Sequence, residues 1–264
     1  MASGFLSDGD HVAHGEWVEL IEVSPRDGLQ NEKVLLPTRT KIGLIERAIN
    51  TGVQRIEAVS FVRPDLVPAM ADAEAVLAGF ANRRGIQLSG LVLNRRGFQR
   101  AIDAGIDEVN VVVPATDTFS QRNQNSTTAR LMAEAEEIAC QSTAAGVGCA
   151  ITFAVAFGCP FEGEVRTDVL VSMAVRAAQA GAAEIALADT IGVGVPSQVH
   201  AFVSELTQAI PSTPLRMHFH NTRNTGYANA VAAVERGVRH LDTSIGGIGG
   251  CPFAPRATGN IATE

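Results

Sequence analysis

The run LRMHFHN at residues 215–221 sets His218 and His220 one residue apart among apolar neighbours. On an extended strand, side chains at i and i+2 point to the same side, so both imidazoles can reach one ion. Surface strands carry such pairs as well, and the spacing permits a metal site without requiring one. Other residues with chemical capacity interrupt apolar runs elsewhere. Arg26 and Asp27 lie in SPRDGLQNE, Glu57 in RIEAVSFV, Asp189 in EIALADT, and Cys251 in GGIGGCPFAPRATGN. A carboxylate with two imidazoles suits a divalent ion such as Mg²⁺, Mn²⁺ or Zn²⁺, with positions left open for substrate oxygens.

Each of these residues also has a purely structural reading. Arg26 and Asp27 can pair at a turn that Asp27-Gly28 would initiate. Glu57 can face outward, although a strand covered on both sides obliges a buried acid to find a partner. Asp189 followed by Thr190 can cap the next segment. Cys251 can be a small loop residue, and the glycines from Gly246 to Gly250 either a connector or a phosphate cradle.

The elements that would position these groups repeat along the chain. Short β-branched runs (WVELIEV, RIEAVSF, LSGLVL, EVNVVV, CAITFAVAF, EIALAD, LRMHFH, HLDTSI) alternate with helical patterns such as TRTKIGLIERAINTG and ARLMAEAEEIACQSTAAG. Gly52, Gly105, Gly146, Gly181 and Gly237 follow helical stretches, where glycine serves as a C-cap. Strand–helix units of this spacing predict a (β/α)₈ TIM barrel, with an open doubly wound sheet as the alternative. No G-x-G-x-x-G follows the first strand, which removes the usual dinucleotide reading. In a barrel the strand C-termini converge, and they would aim the acids, imidazoles, guanidinium and thiol at one axis. After the eighth strand the sequence reads ATGNIATE, where an eighth helix is expected to begin. The expectation is a disordered leader at residues 1–15 and one barrel domain over 16–264 that lacks its last helix through truncation.

Bulk properties narrow the function. The chain has 264 residues, 46% hydrophobic and 19% charged, which supplies a large core and argues against disorder. With a net charge of −7 and no Lys/Arg cluster, nucleic acid is not the expected partner. No apolar run approaches the roughly 20 residues that span a bilayer. The first residues match neither a secretory signal nor a mitochondrial transit peptide. The four cysteines form no C-x-x-C pair and read as reduced thiols of a cytoplasmic protein. A homodimer is the base-rate expectation for assembly.

Taken together, EVSPRDGLQNE, IEAVSFV, CPFEG, DTIGVG, HFHN and GGIGGCPFAPRATGN resemble the 3-hydroxy-3-methylglutaryl-CoA lyase family of metal-dependent TIM-barrel lyases, from about Trp17 onward. The resemblance implies Asp27, His218, His220 and Asn260 as ligands of Mg²⁺ or Mn²⁺, and Arg26 as the group that polarises a thioester carbonyl. It implies Glu57 as an acid beside the metal, His218 as a proton acceptor, Cys251 as a loop cysteine active in proton transfer, and Asp189 in a supporting role. The implied reaction is retro-Claisen cleavage of a 3-hydroxyacyl-CoA to acetyl-CoA and a keto acid, acetoacetate for the family's usual substrate. Two departures bear on specificity. Asn221-Thr222-Arg223-Asn224 replaces an Asp-Thr-Tyr-Gly segment, and Arg256 replaces a glycine. Arg223 and Arg256 are therefore expected to bind a CoA phosphate or a second carboxylate, or else to form surface ion pairs. The rival readings are a Claisen-type synthase of the same superfamily and a barrel without catalysis. An HxH metallohydrolase is disfavoured, because its HxH typically lies on the first strand.

Overall fold

Eight short apolar runs form parallel strands: β1 (Glu19–Glu22), β2 (Arg55–Ser60), β3 (Gln87–Val92), β4 (Glu108–Pro114), β5 (Gly148–Ala154), β6 (Glu184–Asp189), β7 (Leu215–Phe219) and β8 (His240–Thr243). In this computed structural model, which describes residues 17–250 and 259–264, they close in sequential order into a barrel. The seam is complete, with β1 paired to β8 from Glu19↔His240 to Glu22↔Thr243. The leader, Cys251 and Arg256 lie outside the described residues.

The helices are α1 (Thr38–Asn50), α2 (Ala73–Ala78), α3 (Arg95–Asp103), α4 (Asp117–Gln124), α5 (Thr128–Ala145), α6 (Thr167–Gln179), α7 (Pro196–Ala209) and α8 (Gly226–Glu235). The five glycines read as caps all adopt positive φ, between 70° and 101°. Two helices, α4 and α5, share the connection from β4 to β5, so α8 already precedes β8. Among the described residues only a single 3₁₀ turn, Ile245–Gly247, follows β8, and none of the helices is long and apolar enough to cross a membrane.

Alternation along the strands sorts the side chains. Ile56, Val109, Val111, Ile151, Ile185, Leu187 and Met217 are buried in the main apolar cluster with helix residues such as Ile45, Leu170 and Val199. The opposite parity points into the barrel and is largely polar. Arg55 on β2 donates to Glu108 on β4 at 2.7 Å and to Glu184 on β6 at 2.6 Å. Arg216 on β7 pairs with Glu184 at 3.2 Å and with Asp242 on β8 at 3.4 Å. Charges thus occupy an interior that branched aliphatics more often fill.

One strand is shorter than its sequence implies. The run CAITFAVAF predicts a strand to Phe157, yet β5 stops at Ala154 because Val155 turns the chain with φ 54°. A β-branched residue in that region is strained. The Val155 amide is held there by the Thr190 hydroxyl, at 2.8 Å.

Candidate active site

The mouth of the barrel begins with an unusual turn. After β1 the chain makes a π-helical turn, Ser24–Gly28, in which the Val23 carbonyl accepts from the amides of Arg26, Asp27 and Gly28 at 3.2, 2.7 and 3.3 Å. Such turns recur at functional sites because they place consecutive side chains unusually. Here they put the Arg26 guanidinium and the Asp27 carboxylate side by side, Nη1 donating to Oδ1 at 2.7 Å. Gly28 is needed for close approach, since a Cβ there would come within 2.7 Å of Ile248 in the loop after β8.

Glu57, at mid-strand on β2, fixes Arg26. Its Oε2 accepts from Arg26 Nε at 2.8 Å and also from Nη2, while Oε1 accepts from Asn110 Nδ2 at 2.9 Å. Asn110 is held in turn by the Thr152 hydroxyl at 2.7 Å. Burial works against the Arg26 charge, but Glu57 and then Asp27 outweigh it and hold the guanidinium protonated. Three of its five N–H groups are engaged in these contacts, which leaves two for a ligand oxygen.

The two histidines of β7 do share one face. Their Nε2 atoms lie 3.2 Å apart, and one ligand atom from each converges with an Asp27 oxygen within 4.8 Å. His218 Nδ1 meets Asp242 Oδ2 at 3.0 Å. Asn260 arrives on the segment Gly259–Glu264, which bridges the tips of β7 and β8 through Ile261 N to Phe219 O and Ser244 N to Ile261 O, both 3.1 Å. Its Nδ2 donates to Asp27 Oδ2 at 2.7 Å, and its Oδ1 is buried without a hydrogen-bond partner among the described residues. Burial would raise the Asp27 carboxyl, but Arg26, followed by His218 and His220, holds it at about 2. His218 is displaced upward, because Asp242 overcomes the burial that disfavours its charged form.

These residues fit a divalent ion. One carboxylate oxygen and two imidazole nitrogens converge, a mixed N/O donor set of the kind such ions take, and the Asn260 amide group lies against the carboxylate. Gly249 passes directly over them: a Cβ there would lie 2.6 Å from Asn260 Nδ2 and 3.0 Å from Asp27 Oδ2. The Gly250 carbonyl accepts from Asn31. The neighbouring residue, Cys251, is beyond the described residues.

The other expected groups fare differently. Asp189 is fully buried, its oxygens accept from the amides of Val193 and Gly194, both at 2.9 Å, and it interacts electrostatically with His218 without being one of the three converging donors. Burial raises its pKa, against those amides. Arg223 sits exposed on the turn after β7. At the start of the glycine run the chain's own acids take two amides, Ile245 N donating to Glu22 at 3.0 Å and Gly246 N to Glu264 at 3.0 Å. Sequence reasoning missed Asn110, Thr152, Arg216 and Asp242. The last two lie in LRMHFH and HLDTSI at the parity of His218 and of its β8 neighbour, the signal that could have found them.

Comparison with known proteins agrees with this geometry. Residues 17–264 match the HMGL-like family model. The chain is 43% identical to (R)-citramalyl-CoA lyase of Chloroflexus aurantiacus over 94% of its own length and 82% of that protein, and 39% identical to mitochondrial hydroxymethylglutaryl-CoA lyase of Bos taurus over 94% and 76%. A solved HMG-CoA lyase from Acinetobacter baumannii, in complex with coenzyme A and 3-methylmalate, superposes with a TM-score of 0.89 at 42% identity, covering 94% of this chain and 81% of that one. The chain belongs to the HMGL-like family, and its chemistry is that of a lyase.

Proposed function

We propose that the protein is a divalent-metal-dependent carbon–carbon lyase acting on a 3-hydroxy-3-methylacyl-CoA with a terminal carboxylate. The products are acetyl-CoA and a keto acid: acetoacetate from 3-hydroxy-3-methylglutaryl-CoA, pyruvate from its shorter citramalyl homologue. The observation that carries the reading is the convergence of Asp27, His218 and His220 beside an arginine clamped by Glu57. Asp27, His218, His220 and the Asn260 amide oxygen would hold Mg²⁺ or Mn²⁺. When bound, such an ion supplies a Lewis acid that lowers the pKa of a substrate hydroxyl.

Arg26 takes the thioester oxygen. Carbon–carbon cleavage leaves an enolate, and a guanidinium already fixed by Glu57 meets that developing charge without reorganising. Only Nε2 of His218 faces the site, so it can serve as ligand or as proton acceptor; the neighbouring His220 Nε2 favours the ligand role. Cys251, next to the Gly250 anchor, is proposed to pass a proton to the enolate. Arg223 and Arg256 are proposed to meet substrate anions, and Asp189 to support the loop that its carboxylate ties. The free thiols Cys140, Cys149 and Cys159 support a reducing, cytoplasmic location.

The test is acetyl-CoA release from both acyl-CoA substrates with Mg²⁺ or Mn²⁺, beside an Arg26→Gln control. Release that the control abolishes upholds the reading, and the ratio between substrates names the preferred one. Condensation of acetyl-CoA with a keto acid, in the absence of cleavage, would establish the synthase instead.

A further inference from the structure

Arg216 joins the floor of the barrel to its mouth. It is among the largest fully buried side chains and reaches Glu184 at 3.2 Å on the floor side. Toward the mouth its Nε faces Asp242 Oδ1 at 3.4 Å, and neither atom has a hydrogen-bond partner elsewhere among the described residues. The other oxygen of Asp242 meets His218 Nδ1 at 3.0 Å. A guanidinium, a carboxylate and an imidazole therefore stand in line across β7 and β8, ending on the nitrogen that faces His220.

We propose that Asp242 and Arg216 are positioning residues that fix the tautomer of His218, keeping its proton on Nδ1 and a lone pair on Nε2 toward the site. This deepens the function proposed above and rests on its metal site. A carboxylate has no proton to offer, so the imidazole must donate to it, and Nε2 is then left as an acceptor. Arg216 has no lone pair, so it demands an oxygen on its side of residue 242 and sets which way any substitute there must point. In Asp242→Asn, the amide oxygen turns to Arg216 and the NH₂ group to His218 Nδ1. The imidazole proton is driven onto Nε2, and the coordinating lone pair is lost to the site.

The experiment is ¹⁵N NMR of the histidine ring nitrogens in wild-type and Asp242→Asn protein, with Mn²⁺ titrated into both by calorimetry and folding checked by thermal melting. With spectra taken at a pH high enough for the ring to be neutral, wild-type protein without added metal is expected to show protonated Nδ1 and bare Nε2 at His218, and Asp242→Asn the reverse. Mn²⁺ affinity is expected to fall about 10- to 100-fold in the variant, the usual effect of losing the group that orients a ligand. A folded variant with the wild-type tautomer, and an affinity within about twofold of wild type, overturns the proposal. So does wild-type protein with the proton on Nε2, a result that needs no variant to fold. If wild-type protein binds no Mn²⁺, the metal reading fails, and the tautomer measurement still decides the positioning role.

Discussion

The barrel holds two sets of buried charges, and they differ in where their polar atoms point. On the floor, Arg55 is shared by Glu108 and Glu184, Arg216 by Glu184 and Asp242, and His240 adds a contact to Glu184. The principal partners there are the floor's own groups. At the mouth, Glu57 satisfies Arg26, but Asp27, His218 and His220 turn one ligand atom each toward one point. Burial and charge are common to both regions. Convergence of lone pairs is what separates a place built to hold something from a place built to hold itself.

That contrast can be broken by substitution. His220→Gln is expected to lower the rate of acetyl-CoA release about 10³- to 10⁴-fold, the several kcal/mol that metal chemistry supplies, with little change in the urea midpoint. Arg55→Met should do the reverse. Leaving Glu108 and Glu184 buried without their shared cation costs about 3–5 kcal/mol in urea unfolding, while the folded fraction keeps its rate. An Arg55→Met protein that is stable but inactive would erase the distinction.

Arg26→Gln sharpens the same division, since it sits on both sides of it. It is expected to lose about 10²- to 10³-fold in kcat, the usual cost of removing one donor to a developing oxyanion. A smaller stability loss than that of Arg55→Met should accompany it.

Acid titration gives the smallest effect. Burial opposes the Glu184 charge, but Arg216 and the bond from His240 hold its carboxyl well below the ordinary value. A depressed folded pKa means that its stabilisation is fully present above the unfolded value, about 4.3, and is lost as pH falls through the folded one. Glu108 runs the other way, because burial raises it despite Arg55, so acidification relieves a cost. In urea unfolding against pH, the stability deficit of Glu184→Gln should therefore shrink as pH drops below about 4, whereas any charge difference for Glu108→Gln should have the opposite sign and be closed by about pH 4. Parallel curves for Glu184→Gln and wild type would show that the floor pairs contribute nothing through their charges.

The sequence was legible where periodicity and special residues spoke for themselves. The strand runs and the capping glycines gave the barrel, and the parity of His218 and His220 gave their shared face. Arg26, Asp27, Glu57 and Asn260 came together as expected, although Asn260 was visible only through family resemblance. The floor was not legible. Both faces of a barrel strand are buried, so Arg55, Glu108, Glu184 and Arg216 show no clean alternation against water. Which face points to the axis becomes decidable only after closure. Asp189 is the converse: it ends a strand at the right height but with the wrong parity, and its carboxylate ties the following loop.

Asp27 and Asn260 touch across 233 residues of sequence. During synthesis the first emerges long before the second, and domains begin to order from the N-terminus. Until β7 has joined the barrel Arg26 and Asp27 face no imidazole, and until the chain past β8 has docked Asp27 lacks the Asn260 amide. The site therefore comes into being late, only once β7, β8 and the segment carrying Asn260 have reached Arg26 and Asp27.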